Sequence, residues 1–257
     1  MGGGGGPETA PVGELEKLFW IVNVSKYPEL RKLGGCEDLT DLLATTTDCK
    51  DIMKMAKGLG VKDENIFRDE EATAAQMKKT YMQILKKSRA LTAADTPHLI
   101  MFYCGGHGAT QNEKQVFLLN SDKPADALFQ LEFKLRYLVQ DPTTKARIFG
   151  MYDCCRVPLQ NMPALCGRGV GSTEELDEAH EDTTCKYFHI QACGPGGIAD
   201  ADGGFAKRLY QHCVKQAERP PKNELEFPRD WLRVKWAPGE ICHSGGDDYS
   251  VEWTPQE

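Results

Sequence analysis

The feature that most restricts the fold of this chain is an alternation of short apolar runs with segments of helical periodicity. Most of the runs are apolar throughout, which is typical of strands that are buried on both faces of a parallel sheet. Amphipathic helices between such strands cover the two faces. The runs occupy residues 18–24, 65–68, 98–104, 116–119, 146–152 and 187–192.

Helical spacing appears between these runs. Ile52, Met55, Ala56 and Leu59 recur at intervals of three and four residues, which places them on one face of a helix. Further helices are predicted after the capping box of Thr73 and Gln76, across residues 131–139, and from Phe205 to Cys213. The sequence therefore predicts a three-layer α/β sandwich, in which a mostly parallel sheet of about six strands has helices on both faces.

The length of 257 residues and the apolar content of 40% fit one globular domain, which is expected at 14–257. Residues 1–13 contain a run of five glycines and two prolines, and are expected to form a flexible tail. Residues 157–186 include an acidic stretch and are expected to form a long solvated loop. This loop would link a larger part, 14–156, to a smaller part, 187–257.

Charge and cysteine usage restrict the partners. The formal net charge is −7 and the lysines and arginines do not cluster, so nucleic acid is not an expected partner. The sequence lacks a signal peptide and any apolar run of about 18 residues, so no membrane association is expected. Ten cysteines are scattered without a Cys-x-x-Cys pair, which favours reduced thiols and a cytoplasmic location.

Two strand ends carry residues that are suited to nucleophilic catalysis. In open parallel sheets, reactive groups collect at the carboxyl ends of the strands. A thiol with a pKa of about 8.5 is mostly protonated at neutral pH and needs an imidazole to become a nucleophile. His107 is the candidate base, Cys155 is the candidate nucleophile, and the backbone N–H groups of Gly108 and Cys155 are candidates for the oxyanion hole. A single histidine after a strand is usually a polar loop residue. A single cysteine is usually a buried core residue.

The motifs around these residues resemble those of a known family. Residues 102–108 (FYCGGHG) resemble the histidine motif of caspase-fold peptidases, and 153–156 (DCCR) resemble the nucleophile motif of paracaspases and metacaspases. His107 and Cys155 are 48 residues apart, close to the spacing of about 50 in caspases. The resemblance covers about residues 18–209. It implies a caspase-like fold, peptide-bond hydrolysis by a Cys–His dyad, and a monomer or a homodimer.

The resemblance also distinguishes between three cysteines. In that family the motif Asp-x-Cys carries the nucleophile at its third position, which implies Cys155 and not Cys154. Strand alternation directs Cys154 away from the cleft. Residues 191–194 (QACG) nearly match the nucleophile signature of true caspases, but Pro195 replaces its final glycine and the histidine is 86 residues upstream. Cys193 is instead expected in the wall of the cleft.

Acidic residues near the nucleophile imply a substrate with a basic side chain. In paracaspases and metacaspases, aspartates at the positions of Asp153 and Asp48 bind the arginine or lysine that precedes the cleaved bond. Two carboxylates suit a bidentate guanidinium. Asp200 and Asp202 are candidates for a third acid in this pocket. One alternative stays open, in which Asp48 only caps its helix.

The long loop offers a hypothesis about self-processing. Arg168 lies between two glycines after the candidate nucleophile, where caspase-fold peptidases separate their two segments. An enzyme that cleaves after arginine would cut its own chain there. Arg156 and Lys186 are alternative sites.

No cofactor or metal site is predicted. Asp122 and Asp126 could offer oxygen ligands, but no EF-hand spacing is present. Arg156, Val157 and Pro158 replace the residues that follow the nucleophile in metacaspases, where activation by calcium is common. Activation by calcium is therefore left open and not assigned.

Two other functional classes also fit part of this pattern. A caspase-fold scaffold without activity would act through protein partners, but the presence of both His107 and Cys155 argues against it. An α/β hydrolase or a glutamine amidotransferase places its nucleophile in a Gly-x-Cys-x-Gly elbow that precedes the histidine in the chain. Neither condition holds here.

Overall fold

The computed structural model describes residues 16–111, 114–129, 146–155, 157–158, 165, 187–192, 204–217, 224–227 and 249–252. Within these ranges, only the backbone is described at 111, 114–115, 157, 187–189, 214–217, 224–227 and 249–252. The strands are β1 (Glu16–Asn23), β2 (Ile66–Glu70), β3 (His98–Gly105), β4 (Gly108–Gln111), β5 (Lys114–Leu118), β6 (Leu128–Phe129), β7 (Ala146–Asp153), β8 (Val157–Pro158), β9 (Tyr187–Gln191), β10 (Glu224–Phe227) and β11 (Tyr249–Glu252). The α-helices are α1 (Ala44–Gly58), α2 (Ala74–Ala93), α3 (Pro124–Ala127) and α4 (Gly204–Ala217).

The main sheet has five described strands in the order β2-β1-β3-β7-β9, and every neighbouring pair is parallel. All eight residues of β3 are buried, as expected for a central strand with helices on both sides. Parallel pairing directs the carboxyl ends of all five strands to one edge of the sheet. The residues that follow those ends can therefore converge.

Helices cover both faces of the main sheet. On one face, α1 and α4 pack over alternate strand residues such as Phe19 and Met101, and this group forms one hydrophobic cluster. On the other face, α2 packs over the intervening residues, including Trp20 and Phe102. The indole of Trp20 donates a hydrogen bond of 2.8 Å to a carboxylate of β2, which satisfies the buried N–H.

A smaller four-stranded sheet, in the order β6-β5-β4-β8, lies beyond the carboxyl edge of the main sheet. β4 begins three residues after β3 ends, and β8 begins four residues after β7 ends. β4 pairs antiparallel with β5 and parallel with β8. The two central strands of the main sheet thus each continue into a strand of the smaller sheet, and the candidate catalytic residues lie in the junctions.

The predicted α/β sandwich is confirmed, with a parallel sheet and helices on both faces. The described part of the main sheet has five strands where about six were expected. The predicted apolar run at 116–119 belongs to the smaller sheet, as β5, and not to the main one. The predicted helix across 131–139 lies outside the described residues.

The helix starts were predicted with unequal success. Thr73 accepts a hydrogen bond from the backbone N–H of Gln76, and the Gln76 side chain accepts one from the backbone N–H of Thr73, so the capping box is confirmed. The interpretation of Asp48 as a helix cap is wrong. The helix begins at Ala44 after Leu43, and Asp48 is buried in its second turn.

Candidate active site

Strand register brings His107 and Cys155 to facing positions. In the main sheet Gly105 pairs with Asp153, and in the smaller sheet Ala109 pairs with Val157. Each of these pairs is separated by 48 residues, as are His107 and Cys155. The two candidate residues therefore lie opposite each other in the junction between the sheets. The spacing of 48 that was noted in the sequence is the register of this strand pair.

His107 is held from two sides. Its Nε2 lies 2.8 Å from the backbone carbonyl oxygen of Thr40, in the segment between β1 and α1. A carbonyl only accepts hydrogen bonds, so Nε2 carries the proton and Nδ1 is left as the basic atom of the neutral ring. Burial lowers the pKa of His107 below its ordinary value, and the hydrogen bond to Thr40 and the charge of Asp41 oppose this shift.

Tyr27 fixes the backbone and the ring of the histidine. Its hydroxyl accepts a hydrogen bond of 2.7 Å from the backbone N–H of His107, and the two rings lie 4.7 Å apart. The same hydroxyl donates to the carbonyl of Val24. Gly106 permits this approach, because a Cβ at that position would lie 2.7 Å from the hydroxyl of Tyr27 and 2.8 Å from a ring carbon of Phe117.

Asp153 is held by a buried tyrosine. The hydroxyl of Tyr103 donates a hydrogen bond of 2.9 Å to Oδ2 of Asp153, and a Cβ at Gly105 would lie 3.0 Å from that hydroxyl. Burial raises the pKa of Tyr103, and the carboxylates of Asp153 and Asp48 raise it further. Burial also raises the pKa of Cys49 to about 12, with Asp48 as the next contribution. The carboxylates of Asp48 and Asp153 thus both raise the pKa of these two side chains.

The adjacent cysteines Cys154 and Cys155 lie in different surroundings. Cys154 is 2% exposed and belongs to the hydrophobic cluster that α2 covers, together with Cys104. Cys155 is partly exposed. None of the six cysteines for which a side chain is described forms a disulfide. The expectation that Cys154 points into packing and away from the cleft agrees with its burial.

The backbone N–H of Gly108 points to the side of β4 where the cysteine lies. Leu118 N–H donates to the carbonyl of His107, so in the antiparallel ladder the next pair, Gly108 and Phe117, is of the type that exchanges no hydrogen bonds. The N–H of Gly108 is therefore directed away from β5. The other side of β4 is the side on which β8 follows Cys155.

Several predicted residues lie outside the described residues: Asp200, Asp202, Cys193, Arg168, Arg156 and Lys186. Asp122 lies two residues before α3, and Asp126 lies within this helix. Within the ranges the structure describes, no three residues of His, Cys, Asp or Glu converge in a way that could hold a metal ion.

Sequence reasoning missed the roles of Thr40 and Tyr103. Thr40 contributes a backbone carbonyl, which any residue type would supply, so its identity carried no signal. Tyr103 was part of the histidine motif, and strand alternation from Gly105 could have placed it on the same face as Asp153.

The caspase-domain family model of peptidases matches residues 17–226, which include both strand-end motifs. The chain belongs to the caspase-domain family. Members of this family are cysteine peptidases, so the caspase domain gives the chain the scaffold of a thiol hydrolase acting on proteins. No curated protein matches this caspase domain in sequence. Among its described helices, none combines the length and apolar character needed to cross a membrane.

Proposed function

We propose that this caspase domain is a cysteine endopeptidase that cleaves proteins after arginine or lysine, with Cys155 as the nucleophile and His107 as its base. The observation that carries the proposal is the strand register that sets His107 opposite Cys155. Facing positions on neighbouring strands are about 5 Å apart, so the two side chains are within reach of one another.

The geometry of His107 defines the proton path. The carbonyl oxygen of Thr40 accepts a hydrogen bond from the Nε2–H group, so Nδ1 is the atom that takes the thiol proton of Cys155. The thiolate sulfur then attacks the carbonyl carbon of the substrate, and the electron pair moves to the carbonyl oxygen. The backbone N–H groups of Gly108 and Cys155 bind this oxyanion.

The second half of the reaction reverses these steps. When the tetrahedral intermediate collapses, the leaving amine takes the proton from His107 and a thioester to Cys155 remains. Water attacks the thioester after giving a proton to His107, and the acid product and the free thiol are released. These steps need no cofactor and no metal, and the proposal includes neither.

Support for basic specificity comes from the acidic pocket beside the dyad. Asp153 is the last residue of β7, two positions before Cys155, and its carboxylate is oriented by Tyr103. Asp48 is buried in α1, and its carboxylate, like that of Asp153, raises the pKa of Cys49 and of Tyr103. A substrate guanidinium there would neutralise two carboxylates that are partly or fully removed from water, while an aspartate side chain would be repelled. We include Asp200 and Asp202 in the proposal as further acids of this pocket.

The proposal is tested with fluorogenic peptides that differ only in the residue before the cleaved bond: arginine, lysine, alanine or aspartate. The parent chain, Cys155→Ala and the matched neighbour Cys154→Ala are compared, each with and without calcium. We expect turnover of the arginine and lysine peptides by the parent and by Cys154→Ala, and none by Cys155→Ala. Preferred turnover of the aspartate peptide would contradict the pocket assignment. Absence of turnover under every condition would favour a scaffold without activity.

We also propose that the chain cleaves itself after Arg168. This follows from the proposed substrate preference, because the segment after the nucleophile contains an arginine, Arg168, between two glycines. The test follows the intact chain by mass spectrometry in the parent, Cys155→Ala and Arg168→Ala. Cleavage of Cys155→Ala incubated alone, or full activity of an uncut parent chain, would contradict self-processing.

A further inference from the structure

A second cleft lies beside the proposed active site, on the flank of α1 that faces the edge strand β2. It has a volume of about 550 Å³, within the size range of ligand sites. Cys49 and Met53 of α1 and the ends of β1 and β2 line it. Asp48 is not among the lining residues. Asp153 does not line the cleft either.

Asn23 is the unusual residue of this cleft. It is 4% exposed, and its Oδ1 is buried without a hydrogen-bond partner among the described residues. A buried acceptor that lacks a partner costs free energy, and native proteins rarely retain one without a role. Because Asn23 lines the cleft, a ligand that donates an N–H could satisfy this oxygen.

Most of the charged residues that line the cleft are already paired within the protein. Its two carboxylates are already engaged, since Glu70 pairs with Arg68, and Glu71 accepts hydrogen bonds from the backbone N–H groups of Ser25 and Lys26. Within the described part of the chain, no carboxylate lies at ion-pair distance from Lys50. The charged residues that line the cleft are Lys50, Lys54, Lys57, Arg68, Glu70 and Glu71. Lys54 pairs with Asp51, Lys57 pairs with Asp63 and Arg68 pairs with Glu70. Among the described residues, Lys50 is therefore the lining cation that is left to pair with an anionic ligand.

Strand order places the cleft on the histidine side of the dyad. The order at the carboxyl edge is β2, β1, β3, β7, so the cleft at β2 and β1 comes first, then His107, then Cys155. Asn23 pairs with Gly105, and Gly105 pairs with Asp153, which puts Asn23 two strands, or about 10 Å, from Asp153. The histidine delivers its proton to the leaving amine. The part of the substrate that follows the cleaved bond must therefore lie on this side.

We infer that the cleft binds an acidic segment of the substrate located a few residues after the cleaved bond. A peptide offers both features that the cleft requires, a backbone N–H for Oδ1 of Asn23 and a carboxylate for Lys50. This inference rests on the proposed peptidase function. The span of about 10 Å corresponds to about three extended residues, which sets the position of the acidic side chains in the substrate.

The first experiment measures binding without catalysis. A fluorescein-labelled peptide with three glutamates is titrated into the full Cys155→Ala chain and followed by fluorescence anisotropy, with a glutamine version as control. We expect the glutamate peptide alone to bind, and salt to weaken it. Equal binding of the glutamine peptide, or binding that salt does not weaken, would overturn the assignment to an acidic peptide.

Variants locate the binding in the cleft. Lys50→Glu is expected to weaken binding about tenfold, because an attraction becomes a repulsion at an exposed position. Asn23→Ala is expected to weaken it about fivefold through the loss of one hydrogen bond. The matched control is Lys79→Glu, an exposed charge reversal on α2 at the opposite face of the sheet. A loss of affinity in Lys79→Glu equal to that in Lys50→Glu would overturn the location.

The second experiment tests the direction of the substrate. Two peptides of identical composition carry an arginine at the cleaved bond and three glutamates, placed either before or after that bond. We expect a lower KM for the peptide with glutamates after the bond, and loss of that advantage in Lys50→Glu. An equal or greater advantage with the glutamates before the bond would overturn the proposal. If neither peptide is cut, the peptidase function fails, and the binding experiment alone decides whether the cleft takes an acidic peptide.

Discussion

At the carboxyl ends of β1, β3 and β7, the face of the sheet covered by α1 is polar, while the face covered by α2 is apolar. Asn23 and Asp153 lie on the polar face, with the hydroxyl of Tyr103 beside them. Cys104 and Cys154 lie on the apolar face, within the cluster that packs under α2.

Consecutive residues at the end of β7 and just after it thus serve different purposes. Asp153 belongs to a candidate binding pocket, Cys154 belongs to the core, and Cys155 lies past the end of the strand, in the junction between the two sheets. Side chains alternate between faces along a strand, so a single peptide unit separates a packing position from a functional one. The comparison makes Cys154 the natural control for Cys155, and the predictions below use the contrast between the faces.

The largest difference is expected between the two neighbouring cysteines. Cys155→Ala should lower kcat/KM for an arginine peptide at least about a thousandfold, because the nucleophile is removed. Cys154→Ala should leave the catalytic rate near that of the parent and lower the free energy of unfolding by about 1 kcal/mol, through lost packing. Peptide turnover and urea denaturation measure the two effects. Equal losses of activity in both variants would remove the functional distinction between the faces.

The next effect concerns the acid on the polar face. Asp153→Asn should lower kcat/KM for an arginine peptide about a hundredfold, because the charge-assisted hydrogen bonds to the guanidinium are lost. Asp126→Asn, an exposed carboxylate at the start of α3, is the matched control and should change nothing. An unaltered preference for arginine in Asp153→Asn would show that another residue binds the arginine side chain before the cleaved bond.

Tyr103→Phe tests whether the polar face needs its buried hydroxyl. The substitution removes only the hydrogen bond to Asp153, so kcat/KM for arginine peptides should fall about fivefold to tenfold. The effect should appear in KM, and the rate at which iodoacetamide alkylates Cys155 should not change. A lower alkylation rate would mean that Tyr103 supports the dyad and not the orientation of Asp153.

The smallest effect is the pH dependence of His107. Burial lowers its pKa below 6.5, so the imidazole stays neutral, and able to act as a base, to a lower pH than an ordinary histidine. The His107 signal should therefore titrate below pH 6.5 in NMR spectra of the Cys155→Ala chain, assigned by its absence in a chain that also carries His107→Gln. Titration above 6.5 would mean that the charge of Asp41 and the hydrogen bond to Thr40 outweigh burial.

The sequence predicted best where burial is complete. β3 and β7 are apolar at nearly every position because helices cover both faces, so composition alone identified them. β4 and β8 were missed, since strands of two to four residues in a junction show no periodicity. The start of α1 was also misplaced. Its first turn contains three consecutive threonines, which carry little helical signal.

The candidate site was predictable in its residue types but not in its supports. His107 and Cys155 belong to local motifs, and their spacing proved to be the register between β3 and β7. The carbonyl of Thr40 is 67 residues from His107 in the chain, and backbone groups leave no trace in residue identity. In the sequence, Asn23 is an ordinary residue at the end of a strand. Its burial and the missing hydrogen-bond partner of its Oδ1 are seen only in the structure.

Covalent labelling tests the central claim most directly. The full chain is treated with two acyloxymethyl ketone peptides that differ only in an arginine or an aspartate at the reacting position, and the adducts are located by tryptic mass spectrometry. We predict one adduct, on Cys155, formed faster with the arginine reagent, and slowed strongly in His107→Ala. Adducts on Cys154 or Cys193, or faster reaction of the aspartate reagent, would contradict a Cys155–His107 dyad with basic specificity.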